Sequence, residues 1–158
     1  MKTIYLFPNR LRIPALIIFV FSTIFFLPSF EDDLFNISGT VFSVASQYPF
    51  GKTSFFTFLH DELSSEIVTS LFVISGIVLA FSKEKIEDEF IQSMRFRSLM
   101  NATFFTYSMT LLSIFFIYGI SFLSIVTSLI FIHLIVLNIF YYTKLFIYKK
   151  QFSHENED

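Results

Sequence analysis

Long apolar runs separated by short charged clusters organise this chain. The first run covers residues 11–30, about the 20 residues needed to cross a ~30 Å hydrocarbon core at 1.5 Å each. Pro14 falls in its first turn, where a missing N–H is harmless, and Pro28 with Glu31-Asp32-Asp33 ends it. The second run covers residues 63–81. Asp61 is its expected N-cap, and Asp61, Glu62 and Glu66 sit at the positive end of the helix dipole. The third covers 99–119 and the fourth 121–147, with Gly119 leaving only a tight turn between them. The pattern predicts an all-α membrane protein. It is a four-transmembrane-helix bundle, one domain over residues 1–150, closed by an antiparallel helical hairpin.

The segments between the runs have patterns of their own. In the first, residues 31–62, the stretches 37–44 and 54–59 are rich in Phe, Val and Thr. Tyr48-Pro49-Phe50-Gly51 between them suits a type I turn. A small extracytoplasmic β-hairpin is expected there. In the second, Ile86, Phe90 and Met94 recur every four residues with Ile91 beside them, and Lys85 can pair with Glu89. This predicts an amphipathic helix over 83–98, lying along the cytoplasmic surface or extending the third span inward. The polar tail, 151–158, is expected to be disordered.

Composition supports the bilayer as solvent. Of 158 residues, 54% are hydrophobic and only 15% charged, against about 25% charged in ordinary soluble domains. The absence of Cys excludes disulfides, thiolate metal sites and thiol catalysis. The 25 Phe residues are read as lipid contacts and codon bias rather than an aromatic ligand box. Lys2, Arg10, Arg12, Lys83, Lys85, Arg95, Arg97, Lys144, Lys149 and Lys150 fall on one side of the four-span arrangement, and only Lys52 on the other. The positive-inside rule then puts both termini and the 82–98 loop in the cytoplasm and segment 31–62 outside. Lys2, Arg10 and Arg12 ahead of an apolar run resemble a secretory signal. The bulky residues 25–30 offer no small-x-small cleavage site, so a retained first helix is expected.

Candidate chemistry is sparse. Ser46-x-x-x-x-Gly51-Lys52-Thr53 lacks the first Gly of a phosphate-binding loop and contains Pro49. His60, Asp61, Glu62 and Glu66 gather oxygen and nitrogen ligands, but at no recognised metal spacing, and capping explains the acids. Glu84, Glu87, Asp88, Arg95 and Arg97 interleave with lysines. They read as a solvated face first and as a partner-binding surface second. His133 is the ionisable side chain nearest the middle of a span, a functional candidate by position. It lies opposite Ser124, Thr127, Ser128 and Asn138 on the fourth helix, which suggests an intramembrane interface with Ile130 and Leu137; the alternative is a rotated helix in which His133 bonds a hydroxyl or carbonyl within the bundle. No Asp, Glu, Lys or Arg sits at mid-depth, which weighs against proton-coupled transport. Gly76 and Ala80 share a face of the second helix, expected at a close helix contact.

The stretch Phe81-Ser82-Lys83-Glu84-Lys85-Ile86-Glu87-Asp88-Glu89-Phe90-Ile91, followed by Arg95 and by Ser98-Leu99, resembles the core motif of an uncharacterised Bacteroidota family of small four-span inner-membrane proteins. The likeness is specific over 80–99 and weak over the first 60 residues. It implies a multi-pass protein of the bacterial inner membrane and supplies no catalytic residues. The expected function is a non-enzymatic scaffold, sensor or regulatory component acting through residues 83–99. A small oligomeric transporter or channel is the alternative. The expected partners are the lipid bilayer and a second copy or another membrane or cytoplasmic protein. No nucleic acid, metal or cofactor is expected.

Overall fold

The structure is a computed structural model that describes residues 6–25, 37–46, 54–85 and 87–155. Expectations for Pro28, for Glu31–Asp33, for the Tyr48–Gly51 turn, for the stretch after Ser46 and for Ile86 lie outside the described residues. A single turn of 3-10 helix, Asn9–Leu11, leads into α1, Arg12–Phe25. Strands β1, Ser38–Ser46, and β2, Ser54–Glu62, follow. Then come α2, Ser64–Ala80, α3, Glu89–Phe116, and α4, Ile120–Glu155.

Among the described residues, α3 and α4 are the helices long and apolar enough to cross a membrane. The expectation of four such helices is thus met in part, by two of them. α2 has 17 residues, about 25 Å at 1.5 Å per residue, short of a ~30 Å core. α1 is described over 14 residues. The start of α2 also differs from expectation. Asp61 and Glu62 belong to β2, paired with Gly39 and Ser38, so Asp61 does not cap the helix. The tail is corrected too. α4 continues to Glu155, so residues 151–155 are helical rather than disordered.

The described chain forms two compact units. One, from Val20 to Phe72, contains the antiparallel pair β1–β2, in register from Ser38↔Glu62 to Ser46↔Ser54. The expected hairpin strands are therefore present. Phe42 stacks against Phe58 and Phe56 at ring distances of 5.3 and 6.3 Å. Phe56 has a φ of 55°, unfavourable for a bulky side chain, and the register skips its position opposite Val44. The Leu63 amide donates to the Ile37 carbonyl and the Ile37 amide to the Ser64 hydroxyl, which ties the sheet's open end to the first turn of α2.

The other unit comprises the described residues up to Phe19 and from Val73 on. α3 and α4 form the expected antiparallel hairpin. Gly119, with φ +72°, makes the reversal in a conformation that a side chain would strain. Gly76 lies where a Cβ would come within 2.8 Å of the Phe19 ring, so the close contact expected of this face is present. One turn on, Ala80 packs with Ala102 and Leu137. The Asn138 side-chain amide donates to the Gly76 carbonyl at 3.2 Å. Beside the buried apolar clusters, small polar residues are buried while many large apolar ones are exposed. Ser75, Ser82, Ser98, Ser113 and Asn138 are buried, whereas Phe104, Phe115, Phe116 and Leu123 are exposed. Small and hydroxyl residues at helix contacts with large apolar side chains outside suit a lipid solvent.

Candidate functional site

Four charged residues of the 81–99 stretch, Glu84, Glu87, Asp88 and Arg95, are not spread over a solvated face. They close a network at one end of α3 and α4. Its backbone frame is a short parallel bridge between Phe7 and Ser82. The Phe7 amide donates to the Phe81 carbonyl at 3.0 Å, and the Lys83 amide to the Phe7 carbonyl at 2.9 Å. The segment after α2 is therefore held extended as a strap, and the predicted helix over 83–98 begins only at Glu89. From there it is continuous with α3, one of the two forms expected. Asp88 caps it, its side chain accepting from the Ile91 amide at 2.7 Å.

Glu84 anchors the strap. Its residue exposure is 5%, and its Oε2 receives both Arg12 Nη1 at 2.6 Å and Lys149 Nζ at 2.8 Å. One carboxylate thus joins the start of α1, the strap and the last turns of α4. The Arg12 guanidinium also lies 4.9 Å from the Tyr142 ring centroid, and the Tyr142 hydroxyl donates to the Leu79 carbonyl at the end of α2. A cation over an aromatic face is stabilised by the ring quadrupole.

Arg95 is the second anchor, 6% exposed. Its Nη1 donates to Glu87 Oε1 at 2.8 Å, and its Nη2 to the Ser82 carbonyl and the Tyr141 hydroxyl. The guanidinium sits 5.1 Å from the Tyr141 ring centroid. The Tyr148 hydroxyl donates to Asp88 Oδ2, and its ring packs on Phe90 at 4.8 Å. Beneath these groups Ile91, Met94, Tyr141 and Leu145 form an apolar floor. Glu84 Oε1 and Arg95 Nε, both buried, have no hydrogen-bond partner among the described residues.

Of the candidate partner-binding residues, the structure brings Glu84, Glu87, Asp88 and Arg95 together, with Glu84 and Arg95 buried and Glu87 and Asp88 half-buried. Glu84 and Arg95 are not available to a partner, which corrects the surface reading. Arg97 alone of the five is exposed and stands apart from the network. The sequence reading missed Arg12, Tyr141, Tyr142, Tyr148 and Lys149. A seven-residue interval was the available signal, since it puts Tyr141 with Tyr148 and Tyr142 with Lys149 on common stripes of α4.

His133 is half-buried and faces α3, its Nδ1 lying 3.1 Å from the Thr106 hydroxyl. That hydroxyl is also placed to donate to the Ala102 carbonyl. Leu137 is buried with Ala80 and Ala102. The outward interface expected of His133, Ile130 and Leu137 is therefore corrected: Ile130 points outward, the other two inward. Ser124, Thr127 and Ser128 are exposed on α4, each hydroxyl bonded back to the carbonyl four residues earlier. Among the described residues no three His, Asp or Glu side chains converge to hold a metal ion.

Compared with known proteins, the chain matches no protein-family model, no curated protein and no solved structure.

Proposed function

We propose that the chain is a four-span inner-membrane protein with both termini in the cytoplasm, in keeping with the Bacteroidota family that its 80–99 motif resembles. It acts as a non-enzymatic scaffold or regulatory component, and its working surface is the outer side of the first turns of α3. The carrying observation is the division of labour within residues 83–99. Glu84, Glu87, Asp88 and Arg95 are consumed in holding the strap to the helices. Glu89, Ser93, Phe96, Arg97 and Met100 remain exposed on one face, with the i, i+4, i+7, i+8, i+11 spacing of a helical docking strip. A rigidly positioned strip of an aromatic ring, an arginine and an acid suits recognition of a protein better than it suits catalysis.

The test is a photo-crosslinking residue at Phe96 or, as control, at Phe116, in cells, followed by purification in mild detergent. One defined protein captured at Phe96, absent at Phe116 and lost on Arg97→Glu, is the expected result. No capture, with solute or ion flux by the pure protein in liposomes, would replace this reading with the channel or transporter.

A further inference from the structure

Beside the strap lies an open groove of about 560 Å³ lined by Leu6, Pro8, Asn9, Arg10, Lys83, Glu84 and Lys85. We propose that this groove binds the phosphate of an anionic phospholipid headgroup, with Arg10, Lys83 and Lys85 as its cationic contacts.

Charge accounts for the sign of the ligand. Arg10, Lys83 and Lys85 are exposed. The ion pairs among the described residues are Arg12–Glu84, Lys149–Glu84 and Arg95–Glu87, so no acid there answers these three cations. Glu84 is the one acid in the lining, and two cations already share its Oε2. The groove therefore carries a net positive field. Backbone hydrogen bonds join the two segments that line it. The Phe7–Phe81 and Lys83–Phe7 hydrogen bonds hold one wall against the other, and the Leu11 amide bonds the Pro8 carbonyl to form the turn that carries Arg10. The groove's volume falls within the range usual for small-ligand sites.

The source of the phosphate follows from what adjoins the groove. Leu11 and Ile13, directly after Arg10, are exposed apolar residues at the start of α1. Cations abutting an apolar surface mark headgroup depth, and basic pockets on the cytoplasmic side of membrane helices receive anionic lipid headgroups. This step rests on the membrane reading given above.

The experiment uses the full-length protein purified in a neutral detergent, with native mass spectrometry reading retained lipid. The probes are phosphatidylglycerol, phosphatidylcholine and inorganic phosphate. Phosphatidylglycerol is expected to be retained in preference to phosphatidylcholine and not displaced by millimolar phosphate. Arg10→Gln/Lys83→Gln/Lys85→Gln should lower its affinity on the order of a hundredfold, about fivefold per cation. Arg97→Gln/Lys144→Gln/Lys150→Gln, with the same change in charge, should leave it within about twofold, and Lys83→Arg/Lys85→Arg should retain binding. Equal losses in the two triple variants would overturn the site in favour of diffuse attraction. Equal retention of the two lipids, or full displacement by inorganic phosphate, would overturn the lipid assignment. Cysteine labelling of the same protein in cells reads the membrane topology independently. Loss of the groove result with that topology intact would reject this inference alone.

Discussion

Glu84 and Arg95 carry formal charge where the surrounding chain excludes water, and that location decides what each is worth. Moving a carboxylate or guanidinium out of water costs several kcal/mol, and pairing roughly offsets it. The network is therefore a device for fixing geometry more than a source of net stability. Removing one member is different, because its partner is left buried and uncompensated. Arg95→Met should lower unfolding stability in detergent by about 3 kcal/mol, with Glu87 and the Ser82 carbonyl losing their donor. Lys149→Met should cost under ~1 kcal/mol, because the Lys149 side chain is 54% exposed and its pair with Glu84 is screened. Chemical denaturation of the two variants side by side checks the order, and equal losses would mean that burial does not govern this network. His133 makes a smaller claim. Its contact with Thr106 joins α3 to α4, and hydrogen bonds of this kind within membrane proteins average about 0.6 kcal/mol. A double-mutant cycle with Thr106→Val and His133→Leu should return a coupling near that value. A coupling of zero would free His133 for the outward role that its sequence position suggested.

At the level of elements, the sharpest constraint is the approach of α2 to its neighbours at Gly76. The Phe19 ring and a Leu134 methyl occupy the space that a side chain would need. Gly76→Leu should cost about 1–3 kcal/mol by overpacking, seen as reduced resistance to detergent unfolding. Gly119→Ala, whose Cβ meets nothing within 4 Å, should show only the cost of a left-handed backbone, about 1 kcal/mol. The contrast reflects what a sequence can reveal. Gly76 and Ala80 were legible as a seam because small residues four apart share a helix face. The α3–α4 reversal was legible from Gly119 between two apolar runs, and the strands from their Phe, Val and Thr content. The strap was not. The Phe90/Met94 stripe continues an apparent helical period back to residue 83, yet Asp88 caps the helix and the residues before it pair with Phe7. That bridge joins positions 75 apart in sequence, and periodicity reads only local order. The acids of 84–88 looked solvated for the same reason: Arg12, Tyr141 and Lys149, which enclose them, lie too far along the chain to enter a local pattern. The capping role assigned to Asp61 failed through a competing use of the same residue, since its strand pairing with Gly39 places it outside the helix.

For the molecule as a whole, the question is how a chain with two helices long and apolar enough to span a membrane would be threaded through one. Two spans would already place both termini on one side, and four would do the same. What separates the alternatives is the segment around β1 and β2. If only α3 and α4 cross, His60 shares the compartment of Ser93. If α1 and α2 also cross, His60 lies on the opposite side. The charge distribution argues for the second case. Arg10 and Arg12 stand at the start of α1, Lys83 and Lys85 follow α2, and between Arg12 and Lys83 the sequence has a single Lys or Arg, Lys52. On the four-span proposal, orientation by positive charge would retain both flanks in the cytoplasm and export what lies between. The shortness of α2 is not an obstacle, because short apolar helices are accommodated by local bilayer thinning and by snorkelling of flanking lysines. Single cysteines report the answer cleanly in a chain that has none of its own. Both positions are exposed, so labelling reads compartment rather than burial. In intact spheroplasts an impermeant maleimide should modify His60→Cys and spare Ser93→Cys, with Ser93→Cys reacting only after lysis. Protection of both until lysis would establish two spans, with the hairpin in the cytoplasm. Labelling of Ser93→Cys alone would invert the whole arrangement.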